Sequence, residues 1–238
     1  MRPIGFSTGA LAFGDFRQAL SMMVGESCDC VELSALREAE LEPLVHALDT
    51  LDLRQFRYVS LHAPSQLVAL SERRLAAQLQ AVAEREMPII LHPDMIEDYR
   101  CWSGFGDMLC IENMDKRKAI GRTAVELERI FHELPDASLC FDVGHARQVD
   151  PTMSQAVEIL LAFGGKLRQL HVSEVNARSK HAPLNMATIH AFQKIASLVP
   201  QDIPVVLESP VTAAGMSAEI AVAQLALSTT PTNVFAVG

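Results

Sequence analysis

What this 238-residue chain lacks narrows its class before anything it contains. No run approaches the roughly 20 consecutive apolar residues that a membrane-crossing helix needs, so no membrane partner is expected. The opening Met1-Arg2-Pro3-Ile4-Gly5-Phe6 carries one basic residue, and its apolar stretch is broken by Asp15 and Arg17. It reads as a first strand and not as a secretory leader, which makes a cytoplasmic location the expectation. The cysteines are odd in number (Cys28, Cys30, Cys101, Cys110, Cys140), and three lie in apolar runs. Reduced thiols follow, and Cys28-x-Cys30 has no further Cys or His beside it to make a zinc knuckle. Basic residues are scattered and outnumbered, 20 Lys and Arg against 29 Asp and Glu, for a net charge of -9. A grip on nucleic acid by bulk electrostatics is therefore not expected. Ser7-Thr8-Gly9-Ala10 is too short for the Gly-rich phosphate turn of a dinucleotide-binding sheet. No linker or low-complexity tract divides the chain.

What is present is a regular alternation. Apolar runs near 4–7, 30–33, 58–62, 88–93, 108–112, 139–142, 167–172 and 204–208 read as strands. Amphipathic segments near 15–24, 40–48, 71–86, 151–163, 188–198 and 214–227 read as helices. Asp15 is placed to cap the first, and Thr123-Ala124-Val125-Glu126 has the spacing of a capping box opening another, through His132. Eight strands alternating with helices in 238 residues, of which 49% are apolar, predict an α/β protein: a single (β/α)8 TIM barrel, one domain over 1–238. A doubly wound open sheet is the alternative.

The informative feature is where metal-capable side chains fall. His62, His92, Glu112, Asp142, His171 and Glu208 terminate strands three to eight in turn, at the end where a barrel of parallel strands opens its active site. Three imidazoles and three carboxylates at one mouth repel and desolvate one another unless a cation joins them. A divalent ion (Zn, Mn, Co or Mg) is the expected cofactor, in one to three copies. Glu112, Asp142, His171 and Glu208 make one octahedral or five-coordinate set. His62 and His92 provide for a second ion with Glu112 bridging, and His145 and His181 remain for a third ion or for substrate. Side chains alternate along a strand, so Ser60, Ile90, Cys110, Cys140, Gln169 and Val206 should face inward one layer down. Gln169 is the polar exception: either it is hydrogen-bonded beneath the site or the register of strand seven is one residue off.

The order of a strand-three His, a strand-four His-Pro, a strand-five Glu-Asn, the block Asp142-Val143-Gly144-His145, a strand-seven His and a strand-eight Glu resembles the xylose isomerase-like barrel superfamily. That group includes sugar isomerases and epimerases and the endonuclease IV family, and the resemblance covers essentially the whole chain. The epimerase likeness implies that Glu112, Asp142, His171 and Glu208 bind one metal, that Glu112 and Glu208 exchange the proton, and that His145 contacts substrate. The endonuclease IV likeness implies a three-zinc cluster on His62, His92, Glu112, Asp142, His145, His171, His181 and Glu208. In that family an Asp stands two residues before the loop-seven His, where this chain has Ser179.

Around this set, Arg147, Arg178 and Lys180 are positioned to hold a substrate phosphate or carboxylate, or else are solvated loop charges. Trp102 either walls the pocket after strand four or packs a helix. Glu32 either reaches the pocket from strand two or faces outward. His46, His132 and His190 fall in helices, as surface or capping residues. The first expectation is a metal-dependent isomerase or epimerase of a small sugar-like polyhydroxy carbonyl compound, with Glu112 and Glu208 as catalytic acid and base. The alternative is a metal-cluster phosphoester hydrolase, and a barrel that only binds a metal or ligand is a third reading. Oligomeric state stays open, a homo-oligomer included.

Overall fold

Runs such as Ile89-Ile90-Leu91 and Leu139-Cys140-Phe141 are apolar at every position, which suits strands covered on both faces and not strands with one face in water. In a computed structural model describing residues 2–229 they become parallel barrel strands: β1 (Ile4–Ser7), β2 (Cys30–Ser34), β3 (Tyr58–His62), β4 (Ile89–Leu91), β5 (Leu109–Glu112), β6 (Ser138–Asp142) and β7 (Leu167–Val172). A two-stranded antiparallel hairpin, β8 (Glu174–Val175) and β9 (His181–Ala182), follows, and β10 (Val205–Leu207) closes the barrel between β7 and β1. The expected (β/α)8 TIM barrel is present. Of the expected single domain, 1–238, residue 1 and residues 230–238 lie outside the described residues. No helix among the described residues is long and apolar enough to cross a membrane.

Two apolar regions are separated by the barrel wall. Outward-facing Leu33, Leu61, Ile111, Phe141 and Val172 pack on the helix faces of Leu44, Leu75, Leu79, Leu127 and Ile130 in the main core. Inside the barrel, Ile90, Cys110 and Cys140 form a small cluster of their own. That is the layer expected two residues below the strand ends, and all five cysteines are free. β1 and β2 approach so closely that a Cβ on Gly5 would stand 1.7 Å from the carbonyl oxygen of Cys30. Any side chain there would separate the two strands.

The helices depart from their expected bounds where local chemistry decides. A short α1 (Thr8–Ala12) was not expected. It is followed by α2 (Phe16–Met23), whose Asp15 accepts the Gln18 backbone N–H at 2.9 Å, as a cap should. Then come α3 (Glu38–Ala47), α4 (Glu72–Ala83) and α5 (Ala124–Glu133). Thr123 caps α5 by accepting from Glu126 N, but the expected box is half made. The Glu126 carboxylate turns to the backbone N–H and guanidinium of Arg122 instead. The unexpected α6 (Val143–Val149) begins directly on Asp142. Next, α7 starts at Ser154 and not at Pro151, because residues 151–153 form a turn, and runs to Phe163. The last two are α8 (Met186–Gln193) and α9 (Met216–Ala226).

Candidate metal centre

Glu112, at the end of β5, sits among four imidazoles. Its Oε2 lies 3.2 Å from His62 Nε2 and 3.2 Å from His92 Nε2. Its Oε1 lies 3.2 Å from His171 Nδ1 and 3.3 Å from His145 Nδ1. Two donor groups share this carboxylate, His62–His92–Glu112 and Glu112–Asp142–His171–Glu208, each with ligand atoms within 4.8 Å of one another. Metal bonds of about 2.1 Å put neighbouring donors about 3.0 Å apart on an octahedron and about 3.4 Å apart on a tetrahedron. The four Glu112–imidazole distances fall in that range, and His171 Nδ1 to Glu208 Oε2, at 3.6 Å, lies just beyond it.

Asp142, His62 and His171 are each aimed by a local bond. Asn113 brackets the Asp142 backbone, donating to its carbonyl at 2.8 Å and accepting from its N–H at 2.7 Å. The Asp142 side chain caps α6 by accepting the His145 N–H on Oδ1 at 2.6 Å. Its Oδ2 is left buried and without a hydrogen bond, as is Glu208 Oε2. Gly144 lets α6 lie against the chain after β7, since a Cβ would come within 2.6 Å of the Ser173 carbonyl. His62 donates Nδ1–H to the Ala63 carbonyl at 2.7 Å, which turns Nε2 toward Glu112 Oε2, 3.2 Å away. His171 presents Nδ1 to the site, and its Nε2 bonds Glu32 Oε2 at 2.7 Å.

Glu32 therefore faces inward, fully buried on β2. The same Oε2 accepts from Gln169 Nε2 at 2.7 Å, and Gln169 Oε1 accepts from the Tyr58 hydroxyl at 2.8 Å. The register of β7 is as expected, with Gln169 hydrogen-bonded beneath the site. A carboxylate on the far nitrogen of a ligating imidazole fixes its tautomer and raises its basicity.

Electrostatics show what this arrangement demands. Burial pushes Asp142 up to about 7, against the pull of His145. Burial would also raise Glu112 and Glu208, but the surrounding imidazoles override it, His171 first. Glu112 is held well below the usual carboxylate range and Glu208 at about 2. The imidazoles answer in kind. Burial opposes their charge, yet Glu112 and Glu32 raise His62 to about 9, and Asp142, Glu112 and Glu208 raise His145 to about 10. Burial wins at His92 and His181, which are lowered. The cluster draws in positive charge as protons, and Asp142 Oδ2 and Glu208 Oε2 have imidazoles at 3.4–3.6 Å but no hydrogen bond. Both observations fit a divalent cation held by oxygen and nitrogen donors.

The other expected residues divide. A cavity of about 730 Å³ opens above the cluster, lined by His62, His92, Glu112, His145, His181 and Glu208 and also by Lys180. His145 Nδ1 is 3.0 Å from the Asn113 carbonyl. His181 Nδ1 is 2.7 Å from Ser173 Oγ, and the two rings stand 5.5 Å apart. Among the described residues neither joins a three-residue donor group. Ser179, where the third-metal Asp would stand, gives its hydroxyl to Gln148 at 3.0 Å. Arg147 does not line the cavity; it is engaged with both oxygens of Glu174 at 2.7 Å. Trp102 takes the helix-packing role: fully buried, it donates Nε1–H to Glu72 of α4 at 2.7 Å, away from the cavity lining. The sequence reading missed Ser7 and Ser34, whose hydroxyls line the cavity 2.8 Å apart. They end β1 and β2, so the strand-end rule that found the ligands would have found them too.

This barrel, with its ligand-bearing strand ends, is similar to several solved structures. A structure of the IolI protein with a bound zinc atom superimposes with a TM-score of 0.65 at 11% identity, covering 96% of this chain and 98% of that one. A xylose isomerase domain protein from Alicyclobacillus acidocaldarius gives 0.64 at 14% identity, over 96% and 100%. These likenesses show a shared (β/α)8 barrel fold. Endonuclease IV from Thermus thermophilus shares it, with a TM-score of 0.62 at 17% identity over 94% and 98%. No family model and no curated protein matches the chain in sequence.

Proposed function

We propose that this xylose isomerase-like barrel is a divalent-metal-dependent isomerase or epimerase of a small polyhydroxy carbonyl compound. The observation that carries the reading is that Glu112 and Glu208, both kept ionised by neighbouring imidazoles, line one cavity and belong to one four-donor group with Asp142 and His171. A bound divalent ion would supply Lewis acidity to the substrate's carbonyl and adjacent hydroxyl oxygens. One of the two glutamates takes the proton from the carbon beside the carbonyl, and the electron pair of that C–H bond moves toward the carbonyl oxygen. The other glutamate, once it has taken a proton from water, returns it to carbon. On the opposite face of the same carbon this inverts the centre; on the former carbonyl carbon, with the hydroxyl proton passing to the former carbonyl oxygen, it completes isomerisation. The first glutamate gives its proton back to water. His145 and His181, whose tilted rings line the same cavity, would bond substrate hydroxyls. The pair Ser7 and Ser34 does the same from the opposite strands.

Incubation of the metal-loaded protein with aldoses and ketoses in deuterated water tests this. Deuterium should enter the carbon beside the carbonyl, and both Glu112→Gln and Glu208→Gln should slow its entry. If neither substitution lowers turnover of an identified substrate, the acid–base assignment is wrong.

One observation favours a second reading, phosphoester hydrolysis. His62, His92 and Glu112 form a second donor group beside the first, and the fold is shared with an endonuclease IV. Two ions could then activate water and steady a leaving oxygen. Ser179 in place of an acidic ligand and the net charge of -9 weigh against a three-metal DNA-cutting site. Elemental analysis separates the readings: one equivalent of metal supports the isomerase, and two or three of zinc with cleavage of abasic DNA support the hydrolase.

A further inference from the structure

Cations are outnumbered in this chain, yet Arg117, Lys118 and Lys180 line the cavity that holds the metal-capable residues. They come from two separate segments, the loop after β5 and the turn between β8 and β9. One residue of α6 joins those segments. Gln148 Oε1 accepts from Lys116 N at 3.3 Å and from Ser179 Oγ at 3.0 Å, while its Nε2 donates to the Asn176 carbonyl at 2.6 Å. The turn is tightened further by Asn176, whose Oδ1 accepts from the backbone N–H of Arg178 at 2.8 Å and of Lys180 at 3.2 Å. Ser179 is held at φ 52, a left-handed conformation that a residue with a Cβ adopts only when its surroundings impose it. The backbone that carries this basic wall is thus held in place, while the Arg117 and Lys180 side chains themselves reach into solvent at the cavity rim.

Its charges are not evenly satisfied. Arg117 pairs with Asp115 at 2.9 Å and Lys118 with Asp94 at 2.6 Å. The remaining cavity carboxylates, Glu112 and Glu208, belong to the donor group. Lys180 has no carboxylate partner among the described residues, and Phe13, Leu36, Ser7 and Ser34 elsewhere in the lining bring no charge.

We propose that the substrate is anionic, carrying a phosphate monoester or a carboxylate that Lys180 receives, with Arg117 and Lys118 beside it. An ammonium on a flexible stem suits either group as a point charge. The inference rests on the proposed function only in taking this cavity as the substrate site.

Calorimetric binding of ribitol 5-phosphate, ribonate and ribitol to the manganese-loaded protein tests it. At least one anionic polyol should bind about tenfold or more tightly than ribitol, and the one that does tells phosphate from carboxylate. Lys180→Ala should erase most of that preference at unchanged metal content and melting temperature, and Lys180→Arg should keep it. Equal binding of all three probes, or no binding at millimolar concentration, overturns the proposal. So does a preference that survives Lys180→Ala, since the metal and not the wall would then supply it. Lys180-dependent preference with no proton exchange on any phosphorylated or acidic sugar would leave the anion subsite standing and remove the isomerase reading. Proton exchange confined to neutral sugars would do the reverse.

Discussion

The two donor groups share Glu112 and little else. In the four-residue group, Glu112, Asp142 and His171 are buried, and Asp142 and His171 are each braced: Asp142 by Asn113 and the His145 N–H, His171 by Glu32. The group carries three carboxylates. In the three-residue group the imidazoles of His62 and His92 are each 12% exposed, Glu112 is the one anion, and His92 Nδ1 has no hydrogen-bond partner. Donors held in place before an ion arrives lose less freedom on binding, and more negative charge in a low-dielectric site holds a divalent cation harder. This mouth therefore has one donor group held ready for an ion and one, in which only His62 is fixed by a backbone carbonyl, that an ion would have to assemble. The reaction class turns on whether the second is filled.

The largest effect should come from breaking the group held ready. Asp142→Ala removes a central ligand and should leave protein that keeps no metal through dialysis, whereas His92→Ala should keep one equivalent, both read by elemental analysis. Equal losses from the two variants would erase the difference between the groups. Next in size is the brace. Glu32→Gln keeps an acceptor for His171 but removes the charge, and affinity for the first ion should fall about 10- to 100-fold, with a changed visible spectrum of the cobalt-loaded protein. If affinity and spectrum both hold while only the melting temperature falls, Glu32 is a structural residue of the barrel interior and no brace.

The difference between the groups was only half legible in the sequence. Periodicity exposed the strands, and strand-end position exposed all six central donors, because parallel strands must deliver their last inward side chains to one face. The bracing could not be read that way. Glu32 and Gln169 are 137 positions apart and meet only because the barrel closes β10 against β1 and β7. Glu32 looks like any strand-end acid until its neighbours across the barrel are known. Trp102 shows the converse: a large aromatic after a ligand-bearing strand suggests a pocket wall, but Glu72 on α4 offers its indole N–H a buried acceptor elsewhere. Lys180 and Arg147 were equivalent in sequence, each placed after a ligand-bearing strand. Only the position of Glu174 separates them.

Proton competition should sharpen the contrast further. His62 titrates at about 9 before metal enters, so at pH 7 it must lose a proton to become a ligand. A raised value means that the proton is favoured below about 9. Affinity for a second ion should therefore climb by up to about tenfold per pH unit from about pH 6 to 8 and level off above about 9. Calorimetry in buffers of different ionisation enthalpy would count the protons released. A second-ion affinity that is flat across this range would mean that His62 is not its ligand.

The smallest effect is expected at Arg147. Its guanidinium meets Glu174, which also accepts from Thr188 Oγ1 and Asn185 Nδ2, so the carboxylate is not orphaned when the arginine goes. Arg147→Ala should then cost about 1 kcal/mol, the upper end for a partly exposed pair. In a chain of this size that appears as a melting shift of about 2–4 °C. Metal affinity and the preference for anionic polyols should not move, because Arg147 touches neither donor group nor cavity. Lys180→Ala should give the opposite pattern, with stability unchanged and the preference gone. A loss of preference in Arg147→Ala would mean that the Glu174 pair opens to admit the anion, and the charge reading of this mouth would have to include both loops.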